Sequence, residues 1–124
     1  MGRKLLVIDD DPAVRGVIRR VLQEAGLEVI EAADGRGVAD LVRRERPALA
    51  LLDIHMPHLD GIAALSEILD AAPGMAVVMV SGDDDLRLAK MAMDRGACDH
   101  LTKPLDLRSL RMSVKAYMPD GASR

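Results

Sequence analysis

A chain of 124 residues is long enough for one domain with one buried core, and 49% apolar residues is the composition of a globular protein rather than a disordered one. Its net charge of -3, with Lys and Arg scattered along the chain, excludes the massed basic face of a nucleic-acid binder. A single cysteine, Cys98, excludes an intramolecular disulfide and fits a reducing compartment. The longest apolar stretch, Met75 to Val80, is far below a membrane span, and Leu5 to Ile8 is too short for the apolar region of a signal peptide. A cytoplasmic protein with no membrane partner is expected. With one Tyr, no Phe and no Trp, the core must be filled by Leu, Val, Ala and the eight Met.

In chain order, Lys4–Ile8 reads as a buried strand that ends at three consecutive acids, Asp9, Asp10 and Asp11. Asp11 caps a helix with Pro12 at its first position, and Val14, Val17, Ile18, Val21 and Leu22 recur at helical spacing until Gly26 stops it. Glu28–Ala32 alternates as a strand. Asp34 is expected to cap a second helix bearing Val38, Leu41 and Val42, which Pro47 ends. Ala48–Leu52 is a continuous apolar strand leading to Asp53, followed by a loop from Ile54 to Asp60 that contains Pro57. A helix with Ile62, Leu65, Ile68 and Leu69 closes at Pro73-Gly74. Ala76–Val80 is another apolar strand, ending at Ser81-Gly82. Asp84 or Asp85 caps the next helix, through Arg95, which Gly96 terminates. A short strand over Asp99–Thr102 precedes Lys103-Pro104, a last helix runs from about Asp106 to Tyr117, and Met118 to Arg124 reads as a frayed tail.

Strands alternating with helices imply parallel βα units, right-handed crossovers and a sheet covered on both faces. Ligands of such sheets bind beyond the carboxyl ends of the strands, where the strand order reverses. Asp9, Asp10, Asp53, Ser81 and Lys103 all fall at such ends. Like charges crowded at the end of a buried strand repel one another unless a cation relieves them. An ionised Asp is a competent nucleophile toward phosphorus, Mg²⁺ prefers oxygen ligands, and an ammonium and a hydroxyl can hold phosphoryl oxygens. The parts are those of a phosphoryl-transfer site, with the Gly82 N–H open to an incoming group.

Four stretches together resemble the receiver domain of bacterial two-component response regulators: Val7-Ile8-Asp9-Asp10-Asp11-Pro12, Leu51-Leu52-Asp53-Ile54-His55-Met56-Pro57 with Asp60-Gly61, Val80-Ser81-Gly82, and Leu101-Thr102-Lys103-Pro104. The resemblance covers residues 4–118, leaves 119–124 as a short C-terminal tail with no effector domain, and implies a stand-alone receiver. It implies an α/β fold of the flavodoxin/CheY-like kind, a doubly wound five-stranded parallel sheet of order 2-1-3-4-5 flanked by five helices. Carried over residue by residue, Asp53 resembles the phosphoacceptor and Asp9 and Asp10 the Mg²⁺-binding pair. Asp10 and Asp53 would be direct ligands, Asp9 would act through water, and the His55 backbone carbonyl would complete the set. Ser81 matches the switching hydroxyl, Lys103 the family's lysine, Gly82 and His55 the phosphoryl-contacting positions, and Lys103-Pro104 a peptide that is cis in the family.

The implied partners are a sensor histidine kinase or a histidine phosphotransfer protein as donor and a downstream protein as target. The implied output surface is the fourth helix, fifth strand and fifth helix, and the implied assembly is a monomer or weak homodimer. The implied role is a phosphoacceptor switch that catalyses only its own phosphorylation and dephosphorylation. His100 departs from the pattern, because that position usually carries Tyr or Phe. Signalling is therefore expected to rely less on a turning aromatic ring.

Other readings fit less well. A phosphatase with an Asp nucleophile of the haloacid dehalogenase type places it after the first strand, with a second Asp two residues on, whereas Asp53 follows the third strand and position 55 is His. A flavodoxin needs a Ser/Thr/Gly phosphate loop where three carboxylates stand here. A scaffold that binds partners without phosphorylation has no use for the acid, hydroxyl and lysine set. Asp83-Asp84-Asp85 reads as helix-start carboxylates, with Asp83 alone near enough to the rim to tune acyl-phosphate hydrolysis. His55 and His58 lack the spacing of a zinc site, Cys98 reads as a small buried apolar residue, and Met91 and Met93 read as core or surface filler, although exposed Met on the output face would suit a partner.

Overall fold

In the computed structural model of the protein, residues 3–56, 60–82 and 85–118 are described. Among them, five strands alternate with five helices: β1 (Lys4–Ile8), α1 (Pro12–Glu24), β2 (Glu28–Ala32), α2 (Val38–Glu45), β3 (Leu49–Asp53), α3 (Gly61–Ala71), β4 (Ala76–Ser81), α4 (Leu86–Asp94), β5 (Asp99–Thr102) and α5 (Leu107–Tyr117). The strands pair in parallel in the order β2-β1-β3-β4-β5, which bears out the expected doubly wound sheet.

The central strands are apolar at nearly every position because both faces are covered, and their two-residue alternation divides the core. Leu6 and Ile8, Ala50 and Leu52, and Val77 and Met79 pack with Val42, Leu65, Ile68 and Ala92 beneath α2, α3 and α4. Leu5 and Val7, Leu49 and Leu51, and Val78 pack with Ile18, Leu22, Leu110 and Val114 beneath α1 and α5. No ring system anchors either half. Interdigitated aliphatic chains and Met79 do that work.

Helix starts follow local chemistry where an acid stands free to cap. The Asp11 carboxylate accepts from Ala13 N–H, Asp60 from Ala63 N–H and Asp106 from Arg108 N–H. The second helix starts later than expected, at Val38. The Asp34 carboxylate is taken up by the N–H and guanidinium of Arg36, and Gly37 is left-handed at φ 73°, so helical geometry begins only beyond it. Arg46 ends α2 at φ 51°, since the following Pro47 disfavours right-handed helical backbone before it. Asp53 and Ser81 are the last paired residues of their strands rather than the first loop residues. Met118 is also not frayed: it is buried against the α1–α5 half of the core, and its carbonyl accepts from Arg3 Nη1 at 2.8 Å. Residues 119–124, Pro57, His58, Asp83 and Asp84 lie outside the described residues.

Gly61 opens α3 directly against the end of β3. A Cβ there would lie 2.5 Å from the Asp53 carbonyl oxygen and from Ile54 Cα, both backbone atoms that cannot move aside. Gly61→Ala is expected to destabilise the protein by about 2–3 kcal/mol, the cost of forced overpacking. The check is a lower urea midpoint at an unchanged denaturant slope.

Candidate phosphoryl-transfer site

The sheet order reverses between β1 and β3, so the loops after these strands diverge and leave a crevice at their carboxyl ends. Asp9 follows β1 directly and Asp53 ends β3; they are 2% and 5% exposed. Carboxylate oxygens of Asp9, Asp10 and Asp53 all lie within 4.8 Å of one another, with Asp10 on the exposed side. Such crowding needs positive charge, and Lys103, following β5, supplies it. Its Nζ lies 3.0 Å from Asp9 Oδ2 and 3.3 Å from Asp53 Oδ2.

The remaining oxygens are held by backbone. Asp9 Oδ1 accepts from Asp11 N–H at 2.9 Å, and Asp53 Oδ1 accepts from His55 N–H at 3.2 Å. The Asp9 carbonyl accepts from Arg15 Nη1 at 2.6 Å, which ties the first loop to α1. Burial and the charge of Asp9 push the Asp53 carboxyl up, and the Lys103 ammonium with the His55 N–H only partly reverses this. Burial pulls the Lys103 ammonium down, but its bonds to Asp9 and Asp53 more than offset that and leave it above its usual value. The cluster is acidic beyond what its own lysine neutralises. An all-oxygen set with surplus negative charge fits a hard divalent cation such as Mg²⁺, and fits a soft or nitrogen-preferring metal poorly.

Ser81 and Lys103 are joined through backbone, the Lys103 N–H donating to the Ser81 carbonyl at 2.7 Å. In register His100 stands opposite Met79, and Thr102 opposite Ser81, so His100 shares a sheet face with Ser81. Ser81 Oγ and His100 Nε2 are 2.5 Å apart, a hydrogen bond in which either group can donate. The site residues read from the sequence thus gather at one rim. Asp9, Asp10, Asp53 and Lys103 form its centre, His55 joins through its N–H, and Ser81 with His100 forms a flank. Gly82 is at the rim too, but its N–H already donates to Asp85 Oδ2 at 3.2 Å.

Asp85 is what the sequence reading missed. It holds the expected N-cap position of α4 yet makes no side-chain cap bond, because its carboxylate turns back to Gly82 and to His55 Nε2. One acid among three consecutive ones carries no signal that could have singled it out. Cys98 is half-buried against the α1–α5 core, where burial pushes its thiol up.

A folded-state carboxyl that titrates above its unfolded value stabilises the fold when protonated. The contribution of Asp53 therefore grows as pH falls from its raised value toward the ordinary 3.8 and is lost as pH rises back through the raised value. Asp53→Asn keeps the shape and the acceptor for His55 N–H while removing one repelling charge. In metal-free buffer at neutral pH it is expected to be more stable than the parent by about 1 kcal/mol, or roughly 3–6 °C in Tm. Added Mg²⁺ should raise the Tm of the parent more than that of the variant, read by calorimetry.

Known proteins of matching sequence and shape agree with one another. The sequence profile described as the response regulator receiver domain matches residues 5–115. Sporulation initiation phosphotransferase F of Bacillus subtilis (strain 168) is 32% identical over 119 residues, which are 96% of this chain and 96% of that protein. Response regulator MprA of Mycolicibacterium vanbaalenii is 34% identical over 118 residues, 95% of this chain but 51% of its own length, so the chain spans about half of that relative. The receiver domain of NtrX from Brucella abortus superposes with a TM-score of 0.87 at 31% identity, over 94% of this chain and 98% of that one. The Vibrio cholerae chemotaxis protein CheY4 gives 0.87 at 23% identity, over 95% of this chain and 100% of that one, and shows the fold alone.

Proposed function

The chain belongs to the response regulator receiver family of two-component signalling, and from that premise we propose that it accepts a phosphoryl group on Asp53 from a phosphohistidine of a sensor kinase or a histidine phosphotransfer protein. The observation that carries this reading is the buried Asp53 carboxylate, paired with Lys103 and crowded by Asp9 and Asp10, at the switch point of the sheet.

A carboxylate oxygen of Asp53 attacks phosphorus in line with the donor. The new P–O bond forms as the donor's P–N bond breaks, the imidazole leaves with the bonding pair and takes up a proton, and an acyl phosphate remains. His55 N–H holds Asp53 Oδ1, which leaves Oδ2, on the Lys103 side, as the attacking atom. Lys103 keeps Asp9 as a partner while its ammonium follows the incoming phosphoryl oxygens. Asp9, Asp10, Asp53 and the His55 carbonyl are the residues that would hold Mg²⁺, which when bound supplies charge neutralisation for the phosphoryl oxygens. Ser81 leaves His100 to donate its hydroxyl to the phosphoryl group, and the Gly82 N–H donates to another oxygen.

His100 is thus the group that the hydroxyl exchanges for phosphate, and its ring is bonded to Ser81 before phosphorylation. The exchange shifts a two-state equilibrium at β4 and β5 and reaches α4 and α5, where Leu86, Met93, Met112 and Tyr117 are exposed apolar contacts for a downstream protein. The protein would act as a switch that catalyses only its own phosphorylation and dephosphorylation.

Incubation with acetyl phosphate is expected to add the mass of one phosphoryl group in the presence of Mg²⁺, with none on Asp53→Asn and little in chelator, as read by intact-mass spectrometry. An adduct of equal yield on Asp53→Asn would overturn the assignment. Full downstream output from unphosphorylated Asp53→Asn would instead favour a scaffold that works without phosphate.

A further inference from the structure

Among the described residues the buried acids are Asp9, Asp53 and Asp85, and the phosphoacceptor scheme gives no task to the third. Asp85 is 8% exposed, and its carboxylate has two partners on different loops. Oδ2 accepts from Gly82 N–H at 3.2 Å, after β4. Oδ1 lies 2.5 Å from His55 Nε2, after β3. A carboxylate only accepts, so His55 carries its hydrogen on Nε2 and donates. A buried carboxylate at the N-cap of a helix ordinarily satisfies that helix's own free N–H groups, and this one does not.

Both partners border the phosphorylation site. His55 is the residue whose backbone N–H holds Asp53 Oδ1. Gly82 carries the N–H that the proposed function assigns to a phosphoryl oxygen. One N–H serves one strong acceptor at a time, so Asp85 and a phosphoryl group on Asp53 compete for it. We propose that Asp85 is a positioning residue for the phosphorylation of Asp53: its carboxylate stands in for the phosphoryl group at Gly82 N–H, ties the β3–α3 loop to the start of α4, and must let go before phosphate is held.

The inference rests on the phosphoacceptor reading of the site and adds to it a built-in threshold. It also adds a mechanical consequence. The arriving phosphoryl group carries negative charge toward the Asp85 carboxylate, so the two repel as they compete. Asp85 directly precedes Leu86, which is 66% exposed, and release of Asp85 frees the first turn of α4 on the face assigned to partners.

The test has two arms on the full chain. In ¹⁵N-labelled protein without donor, Asp85→Ala and the isosteric Asp85→Asn are both expected to move the Gly82 amide proton upfield, because its charged acceptor is gone. With acetyl phosphate and Mg²⁺, Asp85→Ala is expected to reach half-maximal Asp53 adduct at about five- to tenfold lower acetyl phosphate, the scale of one charge-assisted hydrogen bond no longer competing. His55→Ala, which removes only the outer partner, should shift the midpoint in the same direction by less. An unmoved Gly82 resonance, or an unchanged or raised midpoint for both Asp85 variants while the parent forms its adduct normally, would overturn the inference and leave the receiver reading standing. Absence of an Asp53 adduct on the parent would overturn the phosphoacceptor reading, and Asp85 as its competitor would fall with it.

Discussion

The ammonium of Lys103 lies between the carboxylates of Asp9 and Asp53, and this contact decides what the rim of the sheet can be. Two nearly buried acids a few ångströms apart, with Asp10 beside them, form an arrangement that the fold alone would not favour. One lysine cannot neutralise three acids. The deficit shows in the Asp53 carboxyl, which burial and Asp9 hold above its usual range despite the lysine. An all-oxygen rim with surplus negative charge is the kind of site that fits a divalent cation, and the binding proposed above would relieve the repulsion there.

The sheet makes that concession tolerable. β3 is buried along its whole length between two helical layers, so Asp53 is fixed by everything packed against Leu49, Ala50, Leu51 and Leu52. Gly61, with its Cα pressed on the same backbone, removes what freedom remains. The acids are therefore held in place by the core, while the groups around them are held by single hydrogen bonds and ion pairs: Ser81 to His100, Gly82 N–H to Asp85, and Lys103 to two carboxylates. A fixed centre with a ring of such bonds is what the proposed switch requires.

The fold was legible because its signals are local and redundant. Apolar runs such as Leu49 to Leu52 can only be buried strands at that length, and Pro12 behind Asp11 marks a helix start without tertiary help. The site centre was legible for the same reason, since Asp9 and Asp10 follow the apolar run Leu5–Ile8, Asp53 ends another, and Lys103 stands just beyond the short fifth strand. What was misread turned on which partner a side chain or carbonyl takes. Asp34 looks like a cap but is spent locally on Arg36, while Met118 looks like a tail but is held by Arg3, and Asp85 looks like a cap but reaches across to His55. His100 was marked as a departure from the family pattern, yet its bond to Ser81 depends on the β4–β5 register, which no single residue encodes. Side chains with several possible partners choose by tertiary geometry.

The bond from Arg3 to the Met118 carbonyl clasps the start of β1 to the end of α5. β1 rises toward the acids over five residues and α5 returns over eleven, each a path of about 16 Å at the usual rises per residue. Both described ends of the chain consequently meet at the pole opposite the acids. Any cargo tethered at either end would hang below the sheet and leave a docking donor unobstructed above it. Such cargo would be separated from Asp53 by the body of the domain, which β1 and α5 both cross from one pole to the other.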